Sequence, residues 1–422
     1  MEGDMESGMA TSTSTSNSTS TTTAASRPTT MKEKYPGIIK DGSWFAQFRY
    51  GCNPWMARYV YGFIFLITNF LAWVLRDYGK GAMKEMARLR GCKDGVDCLG
   101  TEGVLRVSMG CFLFFFAMFL STVGTSKVQD RRDTWHSGWW SAKASMFFGF
   151  MVLPFLLPTP IVLMYGEIAH FGAGIFLLIQ LVSVISFIFW LNDSCQSEKI
   201  AERCRVHMML TATTAYVVSI VGIILMYIWY APEASCLQNI FFITWTLVLL
   251  QLMTSVSMQP RISAGYLTPG LMGLYIVFLC WCAIRSEPPG TKCNRKAEAS
   301  VRTDWLTIIS FVVALLTIVV ATFSTGIDSQ CFQFKKTEKQ ADDNDVAYGY
   351  GFFHFVFATG AMYFAMLLIG WNTHHAMKKW TIDVGWTSTW VRVVNEWLAA
   401  CVYIWMLVAP VILKSRQAGE FG

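Results

Sequence analysis

About ten apolar stretches follow one another along the chain, with short polar loops between them. They are Tyr59–Leu75, Val104–Val123, Trp139–Leu157, Ile161–Trp190, Val206–Tyr230, Ile240–Met258, Tyr266–Ile284, Trp305–Ser324, Phe352–Trp371 and Val394–Leu413. A helix needs roughly 20 mostly apolar residues to cross the hydrocarbon core of a bilayer. A fold in water has nowhere to hide this many such segments. The pattern therefore predicts an all-α, polytopic membrane protein with about ten transmembrane helices, each satisfying its own backbone.

Bulk composition agrees. Of 422 residues, 54% are hydrophobic and 15% charged, and the mean hydropathy is +0.40. The net charge of +6 is spread over loops, which argues against a nucleic-acid partner. The first apolar stretch follows a long polar tail and has no early signal-peptide pattern, so span one is expected to act as the internal targeting signal. Within that tail, Thr11–Thr23 is nearly all Ser, Thr and Asn. It can bury nothing, so residues 1–50 are expected to form a disordered tail, passive or phosphorylated. Residues 51–416 form the membrane domain, and 417–422 a disordered end.

Ten spans put both termini on one face, side A. Side A carries 17 Lys and Arg near span ends against 14 on side B, which favours a cytosolic side A by a narrow margin. Cys92, Cys98, Cys236 and Cys293 fall in side-B loops. An oxidising compartment would let them pair, most simply as Cys92–Cys98 and Cys236–Cys293, although four cysteines allow three pairings. The Asn192-Asp193-Ser194 sequon lies on side A, where it would stay unmodified. The mixed-charge loop Gly326–Gly349 reads as a solvated linker or an adaptor-binding segment.

Ionisable groups at membrane depth are functional candidates by default. Lys143, near the side-A end of span three, could snorkel to the interface, pair with Asp193, or touch a lipid headgroup. Glu167 and His170 begin span four at the side-B end, where they would find side-B partners or each other. Gln180 and Ser183 lie further along span four. With His170 and Ala173 they form a small-and-polar stripe, which serves either helix packing or a headgroup groove. Span four is long enough that it must tilt or leave the membrane. Pro154, Pro158 and Pro160 force a sharp entry into it. Asn69 and Gln251 are expected to bond neighbouring helices, and His354 to sit at the interface.

Enzyme-like constellations are missing. There is no Walker-type phosphate loop, HExxH, GxSxG or intramembrane carboxylate cluster. Cys280-x-Cys282 lacks the further ligands that a metal site needs. No cofactor, metal or catalytic residue is expected.

Several fragments, taken together, resemble the serine incorporator family, the plant branch in particular. They include Arg106-Val-Ser-Met-Gly110, His136-Ser-Gly-Trp139-Trp140 with Lys143, and Asn239-Ile-Phe241-Phe242-Ile243. Tyr275–Trp281 follows, then Arg285-Ser286-Glu287-Pro288 and Cys293-Asn294. Near the end come Tyr348-Gly-Tyr350-Gly-Phe-Phe-His354, Trp390-Val391, Trp397 and Tyr403–Pro410. The resemblance runs from about Arg58 to Pro410. It implies two small helical bundles crossed by one long tilted helix, here span four, with cytosolic termini. It further implies help in bringing serine into phosphatidylserine and sphingolipids, through non-ATP-driven phospholipid handling or scrambling. Lys143, Gln180 and Ser183 are then the candidate groove residues. Expected partners are membrane phospholipids, with serine, lipid-synthesis enzymes and a homo-oligomer also admitted. The alternatives are an ion-coupled amino-acid transporter and a scaffold for lipid-synthesis enzymes that transports nothing. The expected location is the endomembrane system or plasma membrane.

Overall fold

The computed structural model describes residues 54–79, 98–127, 130–195, 201–262, 264–288, 293, a few positions between 309 and 323, 346, 348–373 and 381–420. The chain divides into residues 1–51 and 52–422, and all described residues belong to the second unit. Its helices are α1 (Pro54–Tyr78), α2 (Cys98–Thr122), α3 (Arg131–Ser137), α4 (Trp140–Leu156) and α5 (Thr159–Cys195). They continue with α6 (Ala201–Tyr230), α7 (Leu237–Ser257), α8 (Leu267–Arg285), α9 (Tyr350–Ile369) and α10 (Trp386–Glu420). Eight are long and apolar enough to cross a membrane, and α4 is a shorter apolar helix. The expected span Trp305–Ser324 lies mostly outside the described residues.

The polar ends of these helices meet as alternating up-and-down spans require. The start of α1, the turn around α3 and the start of α9 join on side A, where the Tyr348 hydroxyl donates to Pro54 O at 3.1 Å. The end of α1 and the loop before α10 join on side B, where Arg76 Nη1 donates to Leu368 O and Thr381 O, both at 2.7 Å.

Two separate hydrophobic cores result. The first is built from α1, α2, α9 and the N-terminal half of α5, ending there at Ile179. The second is built from α6, α7, α8, α10 and the C-terminal half of α5, beginning at Leu181. The shared helix α5 has 37 residues, about 55 Å at 1.5 Å per residue. The hydrocarbon core is roughly 30 Å thick, so α5 must cross it obliquely or project from it.

Short sequence features position these helices. A Cβ on Gly110 would lie 2.7 Å from Phe150 O and 3.0 Å from Met151 Cα, so glycine there lets α2 and α4 touch backbone to backbone. Arg106 forms an i,i+4 ion pair with Glu102. It also donates to Pro154 O, and to Leu157 O at 2.9 Å. The Thr159 hydroxyl donates to Glu102 at 2.9 Å. The proline-rich corner between α4 and α5, whose carbonyls have lost helical partners, is thereby capped by one charged pair.

Several expectations change. Asn69 donates to Phe65 O and Gln251 to Ser255, both within their own helices rather than to neighbours. α10 begins eight residues before its apolar stretch and runs on through 417–420, which had been expected as a disordered end. Hydropathy stops at charges. A helix does not, since its ladder needs only backbone groups and Lys414–Ala418 is rich in helix formers.

Candidate functional site

The helix α5 passes from the first core to the second in mid-course, and two of its polar side chains stand near that change. Between Ile179, in the first core, and Leu181, in the second, stands Gln180, half-buried. Ser183 follows, buried, with its Oγ lacking a hydrogen-bond partner among the described residues. Both lie close to the middle of the 37-residue helix. The sequence grouped them on one stripe with His170 and Ala173; Ala173 is buried in the first core, and Gln180 and Ser183 stand where α5 passes to the second.

At the side-B end of the same seam the bundles are tied by a connected polar network. Thr373 Oγ1 donates to Glu167 at 3.4 Å. His170 directs Nε2 toward Trp371 O at 3.2 Å and Nδ1 toward Gly166 O at 2.9 Å. Glu167 and His170 therefore find side-B partners in the turn after α9 and do not pair with each other. The Trp371 indole donates to Asp383 at 3.2 Å. Asp383 in turn receives the guanidinium of Arg392, from the first turns of α10. The short loop carrying Asp383 is pinned on both sides: Asp383 N–H donates to Leu367 O at 2.8 Å and Gly385 N–H to Ser286 O at 2.7 Å. Asp383 occupies the left-handed region (φ 56), which Asp tolerates better than most residues. Glu167 is exposed, and the Arg392 side chain keeps 24% of its surface.

The structure does not bring Lys143 to this seam. Lys143 is 2% exposed, so it does not snorkel, and Asp193 is exposed at the far end of α5. Trp139 adopts the left-handed conformation (φ 56), which starts α4 directly beneath α3. Lys143 Nζ then donates to His136 O at 2.8 Å and Gly138 O at 2.6 Å, capping the C-terminal carbonyls of α3 as a cation does well. Its ammonium lies 4.3 Å from the Trp140 ring centroid, a cation–π contact. The candidate groove residue is thus a buried cap, because α3 folds over it.

Two fragments of the resemblance, the one around His136 and the one from Tyr348 to His354, meet at this cap. His354 is fully buried there, rather than interfacial. The Tyr348 hydroxyl, donating to Pro54 O, accepts from His136 Nε2 at 2.9 Å. Neutral His136 then accepts at Nδ1 from His354 Nε2–H at 3.0 Å, which leaves His354 Nδ1 buried without a partner. Tyr350 stacks on His136 at 3.9 Å and donates to Asp133 at 2.7 Å. Burial, followed by the nearby Lys143 charge, holds His136 well below the usual histidine range. Burial raises Asp133 above the usual carboxylate range, against the Tyr350 hydrogen bond, and Asp130 adds to the rise.

Cys236, just before α7, is bonded to Cys293, after α8. Cys92 lies outside the described residues. The ionisable groups that the sequence reading passed over include Glu102 and Arg106 of α2, Arg392, counted with a side-B loop, and Glu396. The signal for Glu396 was present, a lone carboxylate inside the apolar run Val394–Leu413.

Fold and site define a multi-pass helical membrane protein of two bundles sharing one long helix, with polar groups concentrated at the seam and at the helix ends. Residues 44–344 and 328–416 match the family described as Serine incorporator (Serinc), and the chain belongs to that family. It is 24% identical to serine incorporator 3 of Bos taurus over 86% of this chain and 93% of that protein. It is 27% identical to a probable serine incorporator of Dictyostelium discoideum, over 85% and 94%. It is also 27% identical to one of Nematostella vectensis, over 76% and 81%.

Proposed function

We propose that the protein moves phospholipids between leaflets without ATP, with the headgroup following the seam along α5. The observation that carries this reading is the change of core beside Gln180 and Ser183, which puts polar side chains well inside the 37-residue helix that the two bundles share. A charged group at the bilayer centre costs about 2.5–3.5 kcal/mol even on lenient scales. Hydroxyl and amide groups at that depth lower the barrier, and no energy source is needed for exchange down a gradient. At the side-B end, the exposed Glu167 suits an ammonium, a group that serine-type headgroups carry.

The serine in the relatives' names enters this chain's function through that exchange. Redistributing phosphatidylserine-type lipids draws serine into phosphatidylserine and sphingolipid synthesis. Side B, where Cys236–Cys293 forms, faces the oxidising compartment. Both termini then face the cytosol, in the endomembrane system or plasma membrane.

The test is a pair of assays on the purified protein in liposomes, fluorescent-lipid leaflet exchange and radiolabelled serine uptake. Fast lipid exchange without serine uptake is the expected result. Serine uptake that depends on an ion gradient, without lipid exchange, would replace this reading with a coupled carrier. Neither activity would leave a scaffold for lipid-synthesis enzymes.

A further inference from the structure

Glu396 lies outside the seam, on the face of α10 turned into the second bundle, and it is 1% exposed. Its hydrogen-bond partner is the Thr246 hydroxyl of α7, at 2.7 Å from Oε1. Among the described residues no cation pairs with it. Arg392, one turn earlier on α10, is committed to Asp383. The other titratable group within electrostatic reach is the Cys280 thiol of α8, itself free and buried.

The hydroxyl of Thr246 has one hydrogen but two oxygens in range, Glu396 Oε1 at 2.7 Å and Phe242 O at 2.9 Å. A carbonyl can only accept. An ionised carboxylate also only accepts, so the two would compete for a single proton. A carboxylic acid removes the conflict. Glu396 donates to Thr246 Oγ1, and Thr246 donates to Phe242 O. A metal cation does not fit between two oxygens 2.7 Å apart, whereas a shared proton does. The apolar surroundings act in the same direction, since an unpaired ionised carboxylate in a helix bundle is strongly disfavoured.

The two directions along α10 from Glu396 differ in burial. Toward side B the same helix carries Asn395, whose buried Oδ1 lacks a partner, and then the partly exposed Arg392. Toward side A the next positions of that face are Ala399 and Ala400, both fully buried among apolar groups.

We propose that Glu396 is a proton-binding site within the second bundle, occupied at neutral pH and exchanging with side B alone. It is thus a sensor of that compartment rather than part of a transmembrane proton path. The test is infrared spectroscopy of the purified full chain at pH 7. The protonated-acid carbonyl stretch is expected in the wild type and absent in Glu396→Gln. It should be displaced in frequency in Thr246→Val, which loses the acceptor, and it should shift on transfer to D2O. The Thr246→Val comparison assigns the band even if the glutamine variant fails to fold. A carboxylate signature in place of the acid band at pH 7 would overturn the proposal. So would an acid band indifferent to Thr246→Val. In sealed liposomes the protein should pass no protons under a pH gradient; a Glu396-dependent proton leak would overturn the one-sided assignment.

Discussion

At the residue scale, the buried polar groups separate into those whose partners are complete and those left open, and the two kinds predict different behaviour. His136 is neutral in the fold because its ring is enclosed by Tyr61, Tyr348, Tyr350 and His354 with the Lys143 ammonium nearby. In the unfolded chain it takes up a proton below about pH 6.5. The unfolded state then binds more protons, so the stability that His136 contributes is full above that pH. It is lost as pH falls, at about 1.4 kcal/mol per pH unit. Asp133, held toward its protonated form, works in the opposite sense and gains as pH falls. Melting curves of the detergent-solubilised protein from pH 8 to pH 5 should show the drop, and His136→Asn should flatten it relative to wild type. Ser183 is the open case. Its buried, unpartnered hydroxyl costs about 1–3 kcal/mol. Ser183→Ala should therefore leave the melting temperature equal or higher while lipid exchange slows. A variant that loses stability and keeps its exchange rate would remove Ser183 from the seam's function.

At the element scale, close helix contacts depend on particular small residues. Gly110→Val should cost about 1–3 kcal/mol, because its added atoms meet the backbone of α4, which cannot turn aside as a flexible side chain would. Thermal unfolding with a retained helical signature would check this. Nine of the ten expected spans have an apolar helix among the described residues, in the expected order, because lipid demands an apolar run for each span. Helix ends were less legible. The charges that halt a hydropathy reading at Val394 are, in the folded chain, Arg392 paired with Asp383 and tolerated inside α10. The short helix α3 carries too little apolar pattern to be read, yet it buries Lys143 and His136.

At the scale of the whole molecule, the two bundles share α5 and are tied on side B through Trp371, Asp383 and Arg392. Arg392→Gln leaves the buried Asp383 without its cation. It should lower stability by about 3 kcal/mol and raise protease cleavage in the 381–385 loop; an unchanged cleavage pattern would mean the tie does not hold the bundles. The sequence by itself determined the class of protein, the order of its spans, the long fourth span and the stripe bearing Gln180 and Ser183. All of these follow from local apolar pattern and helical period. Only the tertiary structure decided which side of each candidate mattered. It turned Lys143 from a groove residue into a helix cap, set Glu167 and His170 against the turn after α9, and enclosed Glu396 beside Thr246. The cap needs the short helix α3 to fold over Lys143, and the other two outcomes depend on contacts between residues more than a hundred positions apart, such as Glu167 with Thr373 and Thr246 with Glu396. Periodicity along one helix carries no information about which neighbour will supply a hydrogen-bond partner.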